Sequence, residues 1–265
     1  MIERREEGPV IVLELRHKKA NALDVELLAA LEEELASAER AGQAVVLTGT
    51  GSIFSAGVDL YRVLDGGAAY LDAFLPALDS ALQRLFTFPR PAVAAINGHA
   101  MAGGWILACA CDYRVASSAA GKLGLPELQV GVAFPPIAVE TVRFATPIPQ
   151  VHPLIFAGRT YSGEEAAHHG LVDEAVPAEA VLARALAVAT ALAQVPADAY
   201  RLTKQQLRAP TMERVAAAGK SAAAVHAQWA GGDAAASKPR LHGPRRRQGT
   251  LRRFPRDLRR YQPSR

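Results

Sequence analysis

Short apolar runs alternate with longer amphipathic stretches over the first two thirds of the chain, and amphipathic stretches alone follow. Residues 10–15, 44–48 and 92–96 read as buried strands, the first pairing across Gly8-Pro9 with the segment before it. Asp24 is placed to cap a helix over residues 25–41, with Gly42 as its stop. Residues 49–60 are expected to form a loop. A helical pattern then runs over residues 68–88 and ends before Pro89-Arg90-Pro91. Residues 113–116 and Lys122-Leu123 look like further short strands, and Pro135-Pro136 opens an apolar helix to Ala145. Ser162-Gly163-Glu164-Glu165 has the form of a capping box for a helix ending at Gly170. Residues 171–176 read as a strand, and the pattern from Pro177 to about Trp229 is helical. No internal repeat is visible. The predicted organisation is an α/β core over residues 1–195, a helical region over 196–230 and a tail over 231–265.

The tail differs in kind from the rest. Periodicity stops near Gly231, and Arg-rich sequence broken by Pro and Gly takes over, which cannot bury enough apolar surface to order itself. From Lys238 onward 11 Lys and Arg face one Asp, whereas the remaining chain carries 19 basic and 25 acidic residues. The tail alone makes the protein basic, so nucleic-acid binding by the whole protein is not supported. The tail reads as a solvated, disordered segment, as an arm for phosphates of a ligand or nucleic acid, or as the product of an altered reading frame. No apolar run is long enough to span a bilayer, and the N-terminus has no signal-peptide core; a cytoplasmic protein is expected. The two cysteines, Cys109 and Cys111, point to different helix faces and read as small buried apolar residues.

Candidate chemistry begins at Asn97-Gly98-His99-Ala100-Met101-Ala102-Gly103-Gly104. A buried strand stops there and an apolar helix starts at the glycine pair. Such a start leaves uncovered N–H groups at the positive end of a helix dipole, where a developing oxyanion can rest. Equally, the glycines can serve only to allow close packing in a tight turn. About 46 residues earlier a second Gly-rich loop, Phe54-Ser55-Ala56-Gly57-Val58-Asp59-Leu60, follows another buried strand. Dinucleotide and P-loop readings fail, since Phe54 occupies the third glycine position after Gly49 and Gly51, and no Gly-Lys-Ser/Thr follows.

Together these loops resemble the F-x-A-G-x-D-L and N-G-x-A-x-G-G elements of the crotonase (enoyl-CoA hydratase/isomerase) superfamily. His17-Lys18-Lys19-Ala20-Asn21-Ala22-Leu23 is similar to its N-A-L entry motif, without the usual early proline. Residues 157–162 and Gly170-Leu171-Val172-Asp173 match later segments, so that the likeness spans residues 8–228. The resemblance implies an α/β fold, a spiral of ββα units with a helical C-terminal region, assembled as a homotrimer or a dimer of trimers. It implies an acyl-CoA thioester as substrate, with no further cofactor and no metal, and a place in fatty acid metabolism. Its oxyanion hole falls on the backbone N–H groups of Val58 and Gly103. Ala20 and Ala22 would lie near the CoA adenine, and Ala56, Asp59, Leu60, Tyr61, Gly104 and Ile106 would line the substrate site. Lys18 and Lys19 otherwise read as a solvated pair, and Asp59 as a residue bonded to local backbone.

Family hydratases resemble one another in two acidic positions. One holds Ile106 here; the other, in Gly124-Leu125-Pro126-Glu127, holds Glu127. Hydration needs water activated at C3 while C2 is protonated, which one carboxylate beside an isoleucine does poorly. Moving a double bond needs only a proton removed and returned. Ile106 would also dry the pocket and raise the pKa of Glu127. The expected function is therefore enoyl-CoA isomerisation with Glu127 as single acid/base. Alternatives are hydration, decarboxylation, thioester hydrolysis, or acyl-CoA binding without catalysis; for Glu127 itself the alternative is a structural salt bridge. His99 reads as locally bonded, Glu140 as exposed or ion-paired, and the adjacent His168 and His169 lack metal-ligand spacing.

Overall fold

A computed structural model of the chain describes residues 1–18, 20–118 and 121–231. Lys19 and the tail from residue 232 lie outside the described residues, as do the expectations that fall on them. In chain order the elements are β1 (Ile2–Glu7), β2 (Val10–Leu15), α1 (Val25–Arg40), β3 (Ala44–Thr48), β4 (Ile53–Ser55), α2 (Leu60–Phe86), β5 (Ala92–Ile96), β6 (His99–Met101) and α3 (Gly103–Ala110). There follow β7 (Tyr113–Ser117), β8 (Leu123–Gly124), α4 (Pro136–Ala145), α5 (Ile148–Ile155), β9 (Thr160–Tyr161), α6 (Gly163–His168) and β10 (Glu174–Val176). The helices α7 (Val181–Ala193), α8 (Ala197–Ala217) and α9 (Gly219–Ala230) complete the described chain.

The strands form two sheets. Six run in the order β1-β2-β3-β5-β7-β10, and four in the order β4-β6-β8-β9. Successive turns β3-β4-α2, β5-β6-α3 and β7-β8-α4 each give their first strand to the large sheet and their second to the small one. This is the ββα spiral, a repeat of architecture that leaves no repeat in the letters. In the large sheet β1 is antiparallel to β2 and the other pairings are parallel. Strand β2 is buried on both faces. Ile11, Leu13 and Leu15 face the main core, whereas Val10 and Val12 face Val181, Ala185 and Val188 of α7. A strand covered on both sides is apolar on both faces, which is why period-2 alternation is absent; the one charged residue of β2, Glu14, is ion-paired with Arg5 and Arg16.

Three expectations need correction. The loop over residues 49–60 contains β4, whose three residues pair with β6 and are too short to show a pattern. The helix expected from Ala68 begins at Leu60, where the Asp59 side chain accepts the Arg62 N–H, and breaks at Gly67, whose φ is +57°. Helix α5, which carries an internal Pro153, was not expected, and the strand after Gly170 is confined to residues 174–176. The caps at Asp24 and Ser162 form as read. The helical region is tied to the core by Asp112, which follows α3. Its carboxylate meets Lys204 Nζ and Arg208 Nη2 of α8, each at 2.7 Å, with both cations buried. Among the described residues no single helix is long and apolar enough to cross a membrane.

Candidate active site

The second strands of the first two spiral turns bring both Gly-rich loops to one place. Gly57, with φ +86°, sits so close to the start of α3 that a Cβ there would stand 2.6 Å from Ala102 Cβ and 2.8 Å from Gly103 N. Only glycine allows that approach. Leu23 then fixes the direction of the next peptide. Its N–H donates to Gly57 O (2.8 Å) and its carbonyl accepts the Asp59 N–H (2.9 Å). The Gly57–Val58 peptide has given its carbonyl to Leu23, so its own N–H points the opposite way. Gly103 is the first residue of α3, whose early N–H groups have no carbonyl within the helix. Among the described residues, neither the Val58 nor the Gly103 amide donates to a backbone carbonyl.

Both residues line a cavity of about 370 Å³, together with Ala20, Ala22, Ala56, Asp59, Leu60, Tyr61, Ile106 and Glu127. Ten of the eleven site residues read from the sequence therefore share one space. Gly104 does not. It is packed against Ser55, where an added Cβ would stand 2.3 Å from the Ser55 carbonyl oxygen, so its glycine serves close packing of α3 on β4. The expected substrate-binding place of Gly104 is corrected accordingly. The wall also includes residues that sequence reasoning missed, among them Leu78 of α2, Phe134, Ala138 of α4 and Trp229 of α9. Their positions depend on how distant elements pack, and no local motif announces them.

Glu127 follows β8 on a turn of 3-10 helix. Its side chain is 8% exposed, and Oε2 is buried without a hydrogen-bond partner among the described residues. Burial raises the carboxyl from 4.5 to about 8, against the lowering effect of its own backbone N–H. The alternative of a structural salt bridge is not met, since no described cation pairs with it. Ile106, 4% exposed, lines the same cavity. Apolar walls and one unpaired acid can hold a proton and release it to a bound reactant, and two aligned amides can hold an oxyanion.

A charged cluster adjoins the cavity through Asp59. Asp24, fully buried, meets His17 Nε2 (2.7 Å), Lys18 Nζ (2.7 Å) and Arg62 Nη1 (3.2 Å). Lys18 also reaches Asp59 at 3.1 Å, so the solvated-pair reading of Lys18 is corrected: tertiary contact with residues 6 and 41 positions away captures it. Burial pushes the Asp24 carboxyl up, but bonds from Lys18, His17 and the Leu27 N–H outweigh it and hold the group well below the usual range. Asn21, with φ +51°, clasps the same segment to β4 through Nδ2 bonds to Ile53 O and Phe54 O. Other sequence readings stand as made. His99 Nδ1 accepts the Lys122 N–H, and Glu140 pairs with Arg214 at 2.6 Å. Burial pushes the Cys109 and Cys111 thiols up to about 12.

A family described as enoyl-CoA hydratase/isomerase matches residues 5–234. The chain is 37% identical over 210 residues to a Thermus thermophilus protein provisionally named an enoyl-CoA hydratase, covering 77% of this chain and 82% of that one. It is 32% identical over 219 residues to the mitochondrial enoyl-CoA delta isomerase 1 of Mus musculus, covering 79% and 74%. The crystal structure of human mitochondrial delta3-delta2-enoyl-CoA isomerase superposes with a TM-score of 0.83 at 26% identity, covering 91% and 97%.

Proposed function

The chain belongs to the enoyl-CoA hydratase/isomerase family, and from that premise we propose that it moves a double bond along an acyl-CoA thioester, with Glu127 as its single acid and base. The observation that carries the reading is the pairing of an unpartnered, buried Glu127 with Ile106 on one apolar cavity. In a 3-enoyl thioester the Glu127 carboxylate takes the proton from C2. The electron pair passes to the carbonyl oxygen, held by the Val58 and Gly103 amides, and the enolate then takes the proton back at C4, leaving the double bond between C2 and C3. No water takes part, and the dry site protects the enolate from it.

Hydration is the second reading, favoured by relatives that carry hydratase names. The two part on substrate. Purified protein given 3-enoyl-CoA is expected to yield 2-enoyl-CoA, and given 2-enoyl-CoA to leave it without added water. Consumption of the 2-enoyl substrate alone, with water incorporated, overturns the isomerase reading. The proposed assembly is a homotrimer or a dimer of trimers. Exposed Leu207 of α8 and Phe144 of α4, which line one hollow, give that face apolar surface to bury.

A further inference from the structure

The wall built by α9 sets a limit that neither the amides nor Glu127 imposes. Trp229 is 5% exposed and lines the cavity one residue from the end of α9. Its ring is tethered on two sides. Nε1–H donates to Ala133 O at 2.8 Å, and the indole stacks on Phe74 of α2 with centroids 6.3 Å apart. The preceding residue repeats the attachment: Gln228 donates to Gly131 O (2.7 Å) and accepts the Ala133 N–H (3.2 Å). His226, a turn earlier, meets Asp72 of α2 at 2.8 Å.

Swinging the indole aside would leave a buried N–H and carbonyl unpaired and undo the stacking, so this wall is rigid where an unbranched Leu or Met wall would yield. The same segment leads back to the acid, because the Val132 N–H donates to Glu127 O (2.9 Å). Among the described residues that line the cavity there is no Lys, Arg or His. Asp59, the other acid there, is paired with Lys18. No described cation in the lining would neutralise a carboxylate at the far end of a substrate chain.

We infer that Trp229 is the specificity-determining residue that stops the acyl chain, so that the site takes uncharged acyl groups up to a fixed length within sixteen carbons. This rests on the acyl-CoA reading of the cavity but not on isomerisation, and the experiment keeps the two apart. Saturated acyl-CoAs of even length from four to sixteen carbons, which undergo no double-bond shift, are titrated calorimetrically against the full chain. Each methylene that enters the cavity is worth roughly a factor of four in affinity. For the wild type, affinity is expected to climb with length and then stop climbing before sixteen carbons. In Trp229→Leu the climb is expected to continue at least one step further along the even-numbered series, with a tenfold or greater gain at that step. Trp229→Phe, which keeps an aromatic wall, should stop within one step of the wild type.

A wild type whose affinity climbs unbroken to sixteen carbons overturns the inference without recourse to any variant. So does a Trp229→Leu protein that melts cooperatively yet stops where the wild type stops, and so does failure of every acyl-CoA to bind. A shifted limit in a protein that turns over no 3-enoyl-CoA upholds the inference and ends the isomerase reading instead.

Discussion

Replacing Glu127 by Gln should make the protein more stable and less active, and the gain should depend on pH. In the folded chain burial holds the carboxyl at about 8, against 4.5 for the free group. The folded state therefore keeps a proton that the unfolded state has released everywhere between those values. Where the unfolded state binds fewer protons, stability falls as pH rises. The wild type thus loses stability from about pH 4.5 to pH 8 through this group, and the loss is complete above pH 8. The displacement corresponds to about 5 kcal/mol as an upper bound, since water entry and local relaxation soften it. Glutamine has the same shape and no charge, so it escapes the loss. Urea unfolding of wild type and Glu127→Gln at pH 5, 6.5, 8 and 9 measures the difference directly. The variant's advantage should grow between pH 5 and 8 and level off above. An advantage that is the same at all four pH values would refute the claim that this carboxyl is desolvated. The kinetic counterpart is a wild-type kcat/KM for 3-enoyl-CoA that rises with pH towards about 8, as the base form fills, and a variant slowed by about a thousandfold.

Two further substitutions test the supports of the site. Gly57→Ala places a methyl within 2.8 Å of Gly103 N at a positive φ, and should lower kcat on 3-enoyl-CoA by about a hundredfold while the far-ultraviolet spectrum is kept; near-normal kcat would show that the spacing of the two amides is unimportant. Asp24→Asn keeps the cap on α1 but removes the charge shared by His17, Lys18 and Arg62. The Asp24 carboxyl is held below its ordinary value, so its contribution is present above about pH 4 and fades as pH falls below that. The variant should be about 2 kcal/mol less stable to urea at pH 7, with the gap closing towards pH 3; a gap of equal size at both pH values would count against the ion pairs.

What the sequence disclosed about this site follows from how local each constraint is. Gly57 and Gly103 were legible as parts of two Gly-rich loops with a family's spacing, and for Gly57 the reason is steric, since a Cβ there would stand 2.8 Å from Gly103 N. Glu127 was legible through its Gly-Leu-Pro-Glu setting, although its buried and unpaired state depends on Ile106 and on a wall that no short window contains. Asp24 was readable as a cap from its position before Val25. Its capture of Arg62 was not, since that requires the start of α2 to fold against the entry segment. Gly104 misled because it looks like its neighbour, although Gly104 packs on the Ser55 backbone while Gly103 faces the Leu23 and Val58 side chains. Trp229 was read only as the approximate end of the helical pattern, and the packing of α9 on α2 turns it towards the cavity. Strands β4 and β6, three residues each, are too short to show a period.

The spiral deals its parts out one per coil: the Val58 amide from β3-β4-α2, the Gly103 amide from β5-β6-α3, and the carboxyl from β7-β8-α4. On the proposed reading, the grip on a thioester oxygen and the group that handles protons are thus carried on separate pieces of chain. An acid could then be exchanged, added or lost on α3 or after β8 with the two amides left untouched. A change of chemistry in such a framework would need new side chains alone, because the proposed oxygen grip is made of main chain.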